Sequence, residues 1–269
     1  MRLLTGLLSF VSFGLLAAEL GPQKGSLVID GGSSRDAGIM ERFIELAGGK
    51  GAHIVVIPTA GGAPDYGANY RGLDRFRSYG VTNVTLLHTY DRDEANTEAF
   101  AKPLKTASGV WFGGGRQWRL ADSYLDTLVH KECWQVLERG GVIGGSSAGA
   151  TIQGSYLARG DTRTNTIMMG DHEEGMGFLK QVAIDQHLLR RNRQFDLIEI
   201  VEAKPELLGI GIDENTALVV KGDVFEVIGE SYVAVYTSDG IKAGKPFRLV
   251  APGQRYDLKN RRPLIRRRR

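Results

Sequence analysis

One cysteine, five histidines and no acidic residue after Asp257 are the scarcities of this 269-residue chain. With Cys133 alone, no internal disulfide can form, and no second cysteine or nearby histidine stands at the spacing of a metal site. Cys133 is therefore expected in the core, on a helix. No Gly-Lys-Ser/Thr follows the glycine clusters, and Trp118 stands where a dinucleotide loop needs its third glycine, so a phosphate-binding loop is excluded. The apolar run at residues 3–16 is too short for a membrane span. Neither an internal repeat nor a linker divides the chain, and its length allows one domain with a sizeable core.

The missing acids change the meaning of the net charge. Lys259, Arg261, Arg262, Arg266, Arg267, Arg268 and Arg269 carry seven positive charges, so the formal +3 of the whole chain leaves a body at net −4. A mildly acidic body does not match a nucleic-acid binder. Residues 259–269 read as a basic, solvated and poorly ordered tail. At the other end, Arg2, the apolar residues 3–16 and Ala17-Ala18-Glu19 give the three regions of a secretory signal. Residues 1–18 are expected to be a signal peptide, residues 19–258 a single domain, and the protein secreted or periplasmic. No cysteine near the cleavage point offers a lipid anchor.

Short apolar segments alternate with helical spacing along the chain. Residues 25–32, 52–58, 83–88 and 108–112 read as buried strands, and residues 40–46, 69–78 and about 120–137 as helices. This alternation predicts an α/β fold built on a mostly parallel, doubly wound sheet. Residues 154–175 read as loop or hairpin, and residues 188–200 have helical spacing crowded with arginines. Extra β-strands are expected near the C-terminus, at residues 209–220, 223–228 and 232–236.

The chemistry centres on Val142-Ile143-Gly144-Gly145-Ser146-Ser147-Ala148-Gly149-Ala150-Thr151. An apolar run, then a serine bracketed by glycines, then a helix-compatible segment is how a strand-turn-helix elbow exposes a nucleophile. Gly145 and Gly149 mark Ser147 as that residue, since side chains at either would clash across the tight turn. An acyl-transfer enzyme also needs two fixed donors for the developing oxyanion, each lowering the barrier by about 3 kcal/mol. The Ala148 N–H is one candidate, and Gly114 or Gly115, in the cluster after the fourth strand, is the other.

A serine hydroxyl needs a base. His53 and His88 bound strands, His130 lies on a helix face expected at the surface, and His172 sits among acids in a loop expected to be solvated, which leaves His187. No histidine follows His187, and only 40 residues separate it from Ser147, too few for the acid-bearing insertion of an α/β-hydrolase. The order serine, histidine, later carboxylate fits instead, with Glu214 first and Asp213 second among candidates to orient the imidazole.

Leu27-Val28-Ile29-Asp30-Gly31-Gly32, Phe112-Gly113-Gly114-Gly115-Arg116-Gln117, Gly145-Ser146-Ser147-Ala148-Gly149-Ala150, Asp185-Gln186-His187 and Gly211-Ile212-Asp213-Glu214-Asn215-Thr216-Ala217 together resemble the cyanophycinases. These belong to a serine peptidase family that also holds the aspartyl dipeptidase peptidase E. The resemblance implies a class I glutamine-amidotransferase-like (flavodoxin-like) sheet, a Ser147/His187/Glu214 triad, a homodimer, and neither metal nor cofactor. The substrate it implies is cyanophycin, polyaspartate with arginine on each side-chain carboxylate, which that family cuts from the carboxyl end to β-aspartyl-arginine. By position, Arg191 and Arg193 match arginines that hold carboxylates, and Gln117, Asp185 and Gln186 match polar pocket residues. Two positions depart from the pattern. Asp196 replaces a third pocket arginine, and Arg116 stands where an acid is common, which leaves open a relative acting on other β-aspartyl or acidic peptides. A non-catalytic binding protein on the same scaffold is the alternative of another class.

Overall fold

A strand whose central residues are all apolar needs cover on both faces, and β1 (Ser26–Asp30) meets that need in the middle of a nine-stranded sheet. The structure, a computed structural model, describes residues 20–264 except Asp36 and Ala68; the expected signal peptide and the last five residues of the basic tail lie outside them. After β1 the chain forms α1 (Ala37–Leu46), β2 (Ile54–Ile57), α2 (Arg71–Ser78) and β3 (Val84–Leu86). The one-turn helices α3 (Arg92–Ala95) and α4 (Glu98–Ala101) precede β4 (Gly109–Phe112), α5 (Gln117–Tyr124), α6 (Leu128–Glu138), β5 (Val142–Ser146) and the short α7 (Ala148–Thr151).

Strands β3, β2, β4, β5 and β1 lie side by side in that order, all parallel. Leu27 and Ile29 of β1 enter one apolar layer with Leu120, Cys133 and Val136 of α5 and α6. Val28 enters the other with Met40, Phe43 and Phe76 of α1 and α2. The two-residue alternation of a strand thus feeds two layers, and this half of the sheet is doubly wound. Cys133 is fully buried on α6, where burial pushes its thiol up.

The second half departs from expectation. It forms β6 (Gly154–Tyr156), β7 (Leu179–Gln186), α8 (Leu197–Ala203), β8 (Leu208–Ile212), β9 (Thr216–Lys221), β10 (Val224–Gly229), β11 (Val233–Tyr236), α9 (Ser238–Lys242), β12 (Arg248–Val250), β13 (Arg255–Asp257) and β14 (Arg262–Leu264). Strands β6, β7, β8, β11 and β12 make a separate five-stranded sheet, while β9, β10, β13 and β14 extend the first sheet beyond β1 with antiparallel pairing. Among the described residues the larger sheet has four parallel and four antiparallel pairs, so "mostly parallel" holds only for its first half. Connection length is the reason. Gly222 and Asp223 alone join β9 to β10, and two residues can close a hairpin but not a parallel crossover.

Three further expectations are corrected. The helix anticipated over residues 120–137 is two helices, because Leu125 turns extended (ψ 130) and Asp126 takes φ 61. Residues 188–196 are not helical, since Asp213 Oδ1 accepts the N–H groups of Leu189 and Arg190 at 2.9 and 3.0 Å and Asn192 takes φ 55. Only α8 keeps the helical spacing read there. Residues 262–264 of the basic tail are ordered as β14, paired with β13. No helix among the described residues is long and apolar enough to cross a membrane.

The topology brings separate stretches to one edge. Parallel β1, β4 and β5 end there, and antiparallel β9 starts there, with Asp30 beside both Ser146 and Ala217. In the second sheet β7 and β8 run parallel, so Gln186 and Ile212 are neighbours at their ends.

Candidate active site

Ser147 follows β5 with φ 56 and ψ −111, a backbone conformation that costs a non-glycine residue about 1–3 kcal/mol and persists only where the surroundings enforce it. Here they do. The Ser147 N–H donates to the Asp30 carbonyl at 3.0 Å, and the Ser147 carbonyl accepts from the N–H groups of Ala150 and Thr151 at 2.9 and 3.1 Å. The bracketing glycines are required by space: a Cβ on Gly149 would stand 2.1 Å from the Phe112 carbonyl oxygen, and one on Gly145 2.3 Å from that of Gly149.

The elbow aims Ser147 Oγ at His187 Nε2, 2.9 Å away. On the far side of the ring, Nδ1 lies 2.7 Å from Glu214 Oε1. A carboxylate can only accept, so Nδ1 carries the proton and Nε2 is left to accept from the serine hydroxyl. These contacts draw on three stretches: the turn after β5, the residue after β7, and the crossover from β8 to β9. Asp213, the second candidate for the acid, faces elsewhere; beyond the turn at residues 189–190, its Oδ2 accepts from the Ser231 hydroxyl at 2.6 Å.

His187 is itself held hard. Its φ is 55, its N–H donates to the Gly31 carbonyl at 3.0 Å, and its ring packs on Gly32, where a Cβ would come within 2.4 Å of Cε1. Burial, and next the positive charge of Arg191, push the imidazole below its ordinary pKa, against the opposing pull of Glu214.

The other histidines take structural partners. His53 bonds Thr106 and Thr85, and His88 bonds Thr59. His130, expected at the surface, is largely buried and bonded to the Met176 carbonyl. His172 bridges Asp122 and Asp171.

Of the oxyanion candidates, Ala148 opens α7, so its N–H has no carbonyl one turn back within the helix. Gly114 lies against Ser147, a Cβ there being 3.4 Å from Ser147 Cβ, whereas a Cβ on Gly115 would meet the Ala60 carbonyl at 2.0 Å.

The residues matched to a substrate pocket are mostly engaged with other groups of the protein. Asp185 is fully buried, with its two oxygens 2.8 and 2.9 Å from Arg159 Nε and Nη2. Gln117 donates to the carbonyls of Ala158 and Arg159, and Gln186 Oε1 accepts from Arg193 Nη1 at 3.0 Å. Arg193 is buried as well, and burial pushes its guanidinium pKa down. Of the five, only Arg191 is exposed, with no ion pair among the described residues. Beside the acid an open cavity of about 570 Å³ is lined by Ser33, Arg35, Arg190, Glu214 and Asn215.

The residue that sequence reading missed is Arg159. It is 2% exposed and pairs with both Asp185 and Asp196. This accounts for one departure from the family pattern, because Asp196 stands in the third arginine's place as a partner for Arg159. The available signal was a charged residue inside Leu157-Ala158-Arg159-Gly160 and a second, Asp185, inside an apolar strand, each of which needs a partner if buried. The other departure, Arg116, donates from Nη2 to the Asp161 carbonyl at 2.5 Å.

Known proteins resemble the chain along most of its length. The family model for peptidase family S51 matches residues 27–228. A cyanophycinase of Synechococcus elongatus is 35% identical over 220 residues, covering 79% of this chain and 68% of the relative. One from Geminocystis herdmanii is 31% identical over 260 residues, covering 88% and 95%. In fold, the chain resembles the crystal structure of a peptidase from an acI-B1 actinobacterium, at 24% identity and a TM-score of 0.65 over 88% of this chain and 98% of the other.

Proposed function

The chain belongs to peptidase family S51, a family of serine-type peptidases, and from that premise we propose that it is an exopeptidase releasing β-aspartyl-arginine from cyanophycin. The observation that carries this reading is the continuous line Ser147 Oγ, His187, Glu214, with contacts of 2.9 and 2.7 Å.

Ser147 Oγ attacks the carbonyl carbon of the scissile peptide while His187 Nε2 takes its proton. The Glu214 carboxylate steadies the imidazolium. The oxygen that becomes negative is met by the N–H groups of Ala148 and Gly114, whose contribution grows as charge develops. The C–N bond then breaks, His187 returns the proton to the leaving amine, and an acyl group remains on Ser147. Water, deprotonated by His187, releases it. Arg191, and Arg35 and Arg190 around the cavity beside Glu214, offer cations to the polymer's free carboxylates, those of its attached arginines and of its carboxyl end.

We assign the scaffold to the class I glutamine-amidotransferase-like, flavodoxin-like group, and the working protein to a homodimer exported by the segment at residues 1–18. Incubating the protein with purified cyanophycin and following products by mass spectrometry tests the substrate. Accumulation of β-aspartyl-arginine is expected. If none appears while a serine-directed phosphonate still modifies Ser147, the peptidase stands and the substrate is another β-aspartyl or acidic peptide, the reading favoured by Asp196 in place of a third pocket arginine. Absence of both signals would leave the scaffold as a binding protein.

The pH profile follows from the base. His187 must be neutral to accept a proton, and its pKa is held below the ordinary 6.5. Activity should therefore persist as pH falls through 6.5 and drop only below it, so the acid limb of kcat/KM has its midpoint under that value. Arg191→Ala removes the second cause of the depression and should move this midpoint upward. A wild-type midpoint above 6.5 would contradict the burial described for the ring.

A further inference from the structure

Asp30, at the end of β1, is fully buried and has one carboxylate oxygen, Oδ2, without a hydrogen-bond partner. An unpaired buried polar atom is costly. Burial holds this carboxyl above the usual carboxylate range, opposed by the hydrogen bonds from Ser34 and Gly32, the nearby Ser146 hydroxyl and the charge of Arg75. None of the catalytic steps above uses it.

Its connections reach all three of those segments. The Asp30 carbonyl accepts the N–H of Ser147 at 3.0 Å. Its Oδ1 accepts the N–H of Gly32 at 3.0 Å and the hydroxyl of Ser34, closing the turn that follows β1. From that turn, the Gly31 carbonyl accepts the N–H of His187 and the Gly32 carbonyl accepts the N–H of Asn215, the neighbour of Glu214, each at 3.0 Å. Gly32 also forms the wall on which the His187 ring rests. One residue thus holds the nucleophile by its backbone and, by its side chain, the turn that fixes base and acid.

We propose that the Asp30 carboxyl is a positioning residue that sets the register of Ser147, His187 and Glu214 relative to one another. The inference rests on the serine-peptidase reading of those three residues. A displacement of about 1 Å in a reacting group costs on the order of 100-fold in rate, so loss of the turn's anchor should be felt in the chemical step and not in substrate binding.

The test measures inactivation by a fluorophosphonate, with Ser147 identified as the labelled residue by peptide mapping and folding followed by circular dichroism. In Asp30→Ala, kinact is expected to fall about 100-fold with KI unchanged. Asp30→Asn keeps an oxygen acceptor for Gly32 and Ser34 and should recover most of the rate. Wild-type kinact in a folded Asp30→Ala protein would overturn the proposal, as would an equal loss in Asn and Ala variants. If Asp30→Ala does not fold, Gly32→Ala decides, because its Cβ would displace the His187 ring from the other side of the same link. A folded Gly32→Ala protein should lose kinact comparably, and an unchanged rate would overturn the proposal. Failure of the wild-type protein to label at Ser147 is a separate result, which removes the serine-peptidase reading and this inference with it.

Discussion

Ser147→Ala is expected to leave the protein folded and to lower kcat/KM on its peptide substrate by at least about ten-thousand-fold. The size follows from what is lost. Among the described residues no other hydroxyl stands at hydrogen-bonding distance from His187 Nε2, and alanine cannot form the acyl intermediate. The fold should survive because the elbow is held by backbone bonds from Ser147 to Asp30, Ala150 and Thr151 and by the close approach of Gly149 to Phe112, none of which needs the hydroxyl. Alanine at φ 56 carries the same backbone strain as serine. A thermal melt within a few degrees of wild type, together with product counted by mass spectrometry, checks both halves. Turnover within about tenfold of wild type would mean that the nucleophile lies elsewhere.

His187→Ala should be equally severe, about ten-thousand-fold, and combining it with Ser147→Ala should add almost nothing. Nucleophile and base act as one unit, so removing either forfeits the same step. The control is His172→Ala, which alters a bridge between Asp122 and Asp171 that includes none of Ser147, His187 and Glu214 and should change kcat/KM by less than about threefold. Steady-state assays of the four proteins suffice. A mild His187→Ala or a severe His172→Ala would reassign the base, and an additive double variant would show that the two residues work independently.

How much was legible beforehand depended on whether a feature is local in the chain. The elbow is local: five residues specify the turn, and the two glycines are demanded by contacts inside it. The base could be reached by elimination because histidine is scarce. Glu214 already ranked ahead of Asp213 in the sequence, and three dimensions supply the physical reason: the adjacent carboxylates diverge, one to the imidazole and one to the turn after it. That turn also misled the helical reading of residues 188–196, where side-chain spacing suits a helix but Asp213 caps the backbone into another path. Arg159 was invisible for the same kind of reason. Its apolar neighbours Leu157 and Ala158 hint at burial, but its partners lie 26 and 37 positions away, so the pairing itself cannot be read locally. The parallel half of the sheet followed from alternation, but hairpins as short as Gly222-Asp223 reverse the pairing direction, and the separate second sheet left no periodic mark.

The distribution of the three site residues over the chain has a consequence for the protein's own synthesis. Ser147 stands on the elbow after β5, His187 arrives only when β7 is in place, and Glu214 only when β9 inserts beside β1. An emerging or unfolded polypeptide therefore carries an ordinary serine alcohol with no partner to sharpen it. With the proposed triad, cutting power is assembled only when the two sheets have docked, so a chain still being made is harmless to itself and to its neighbours.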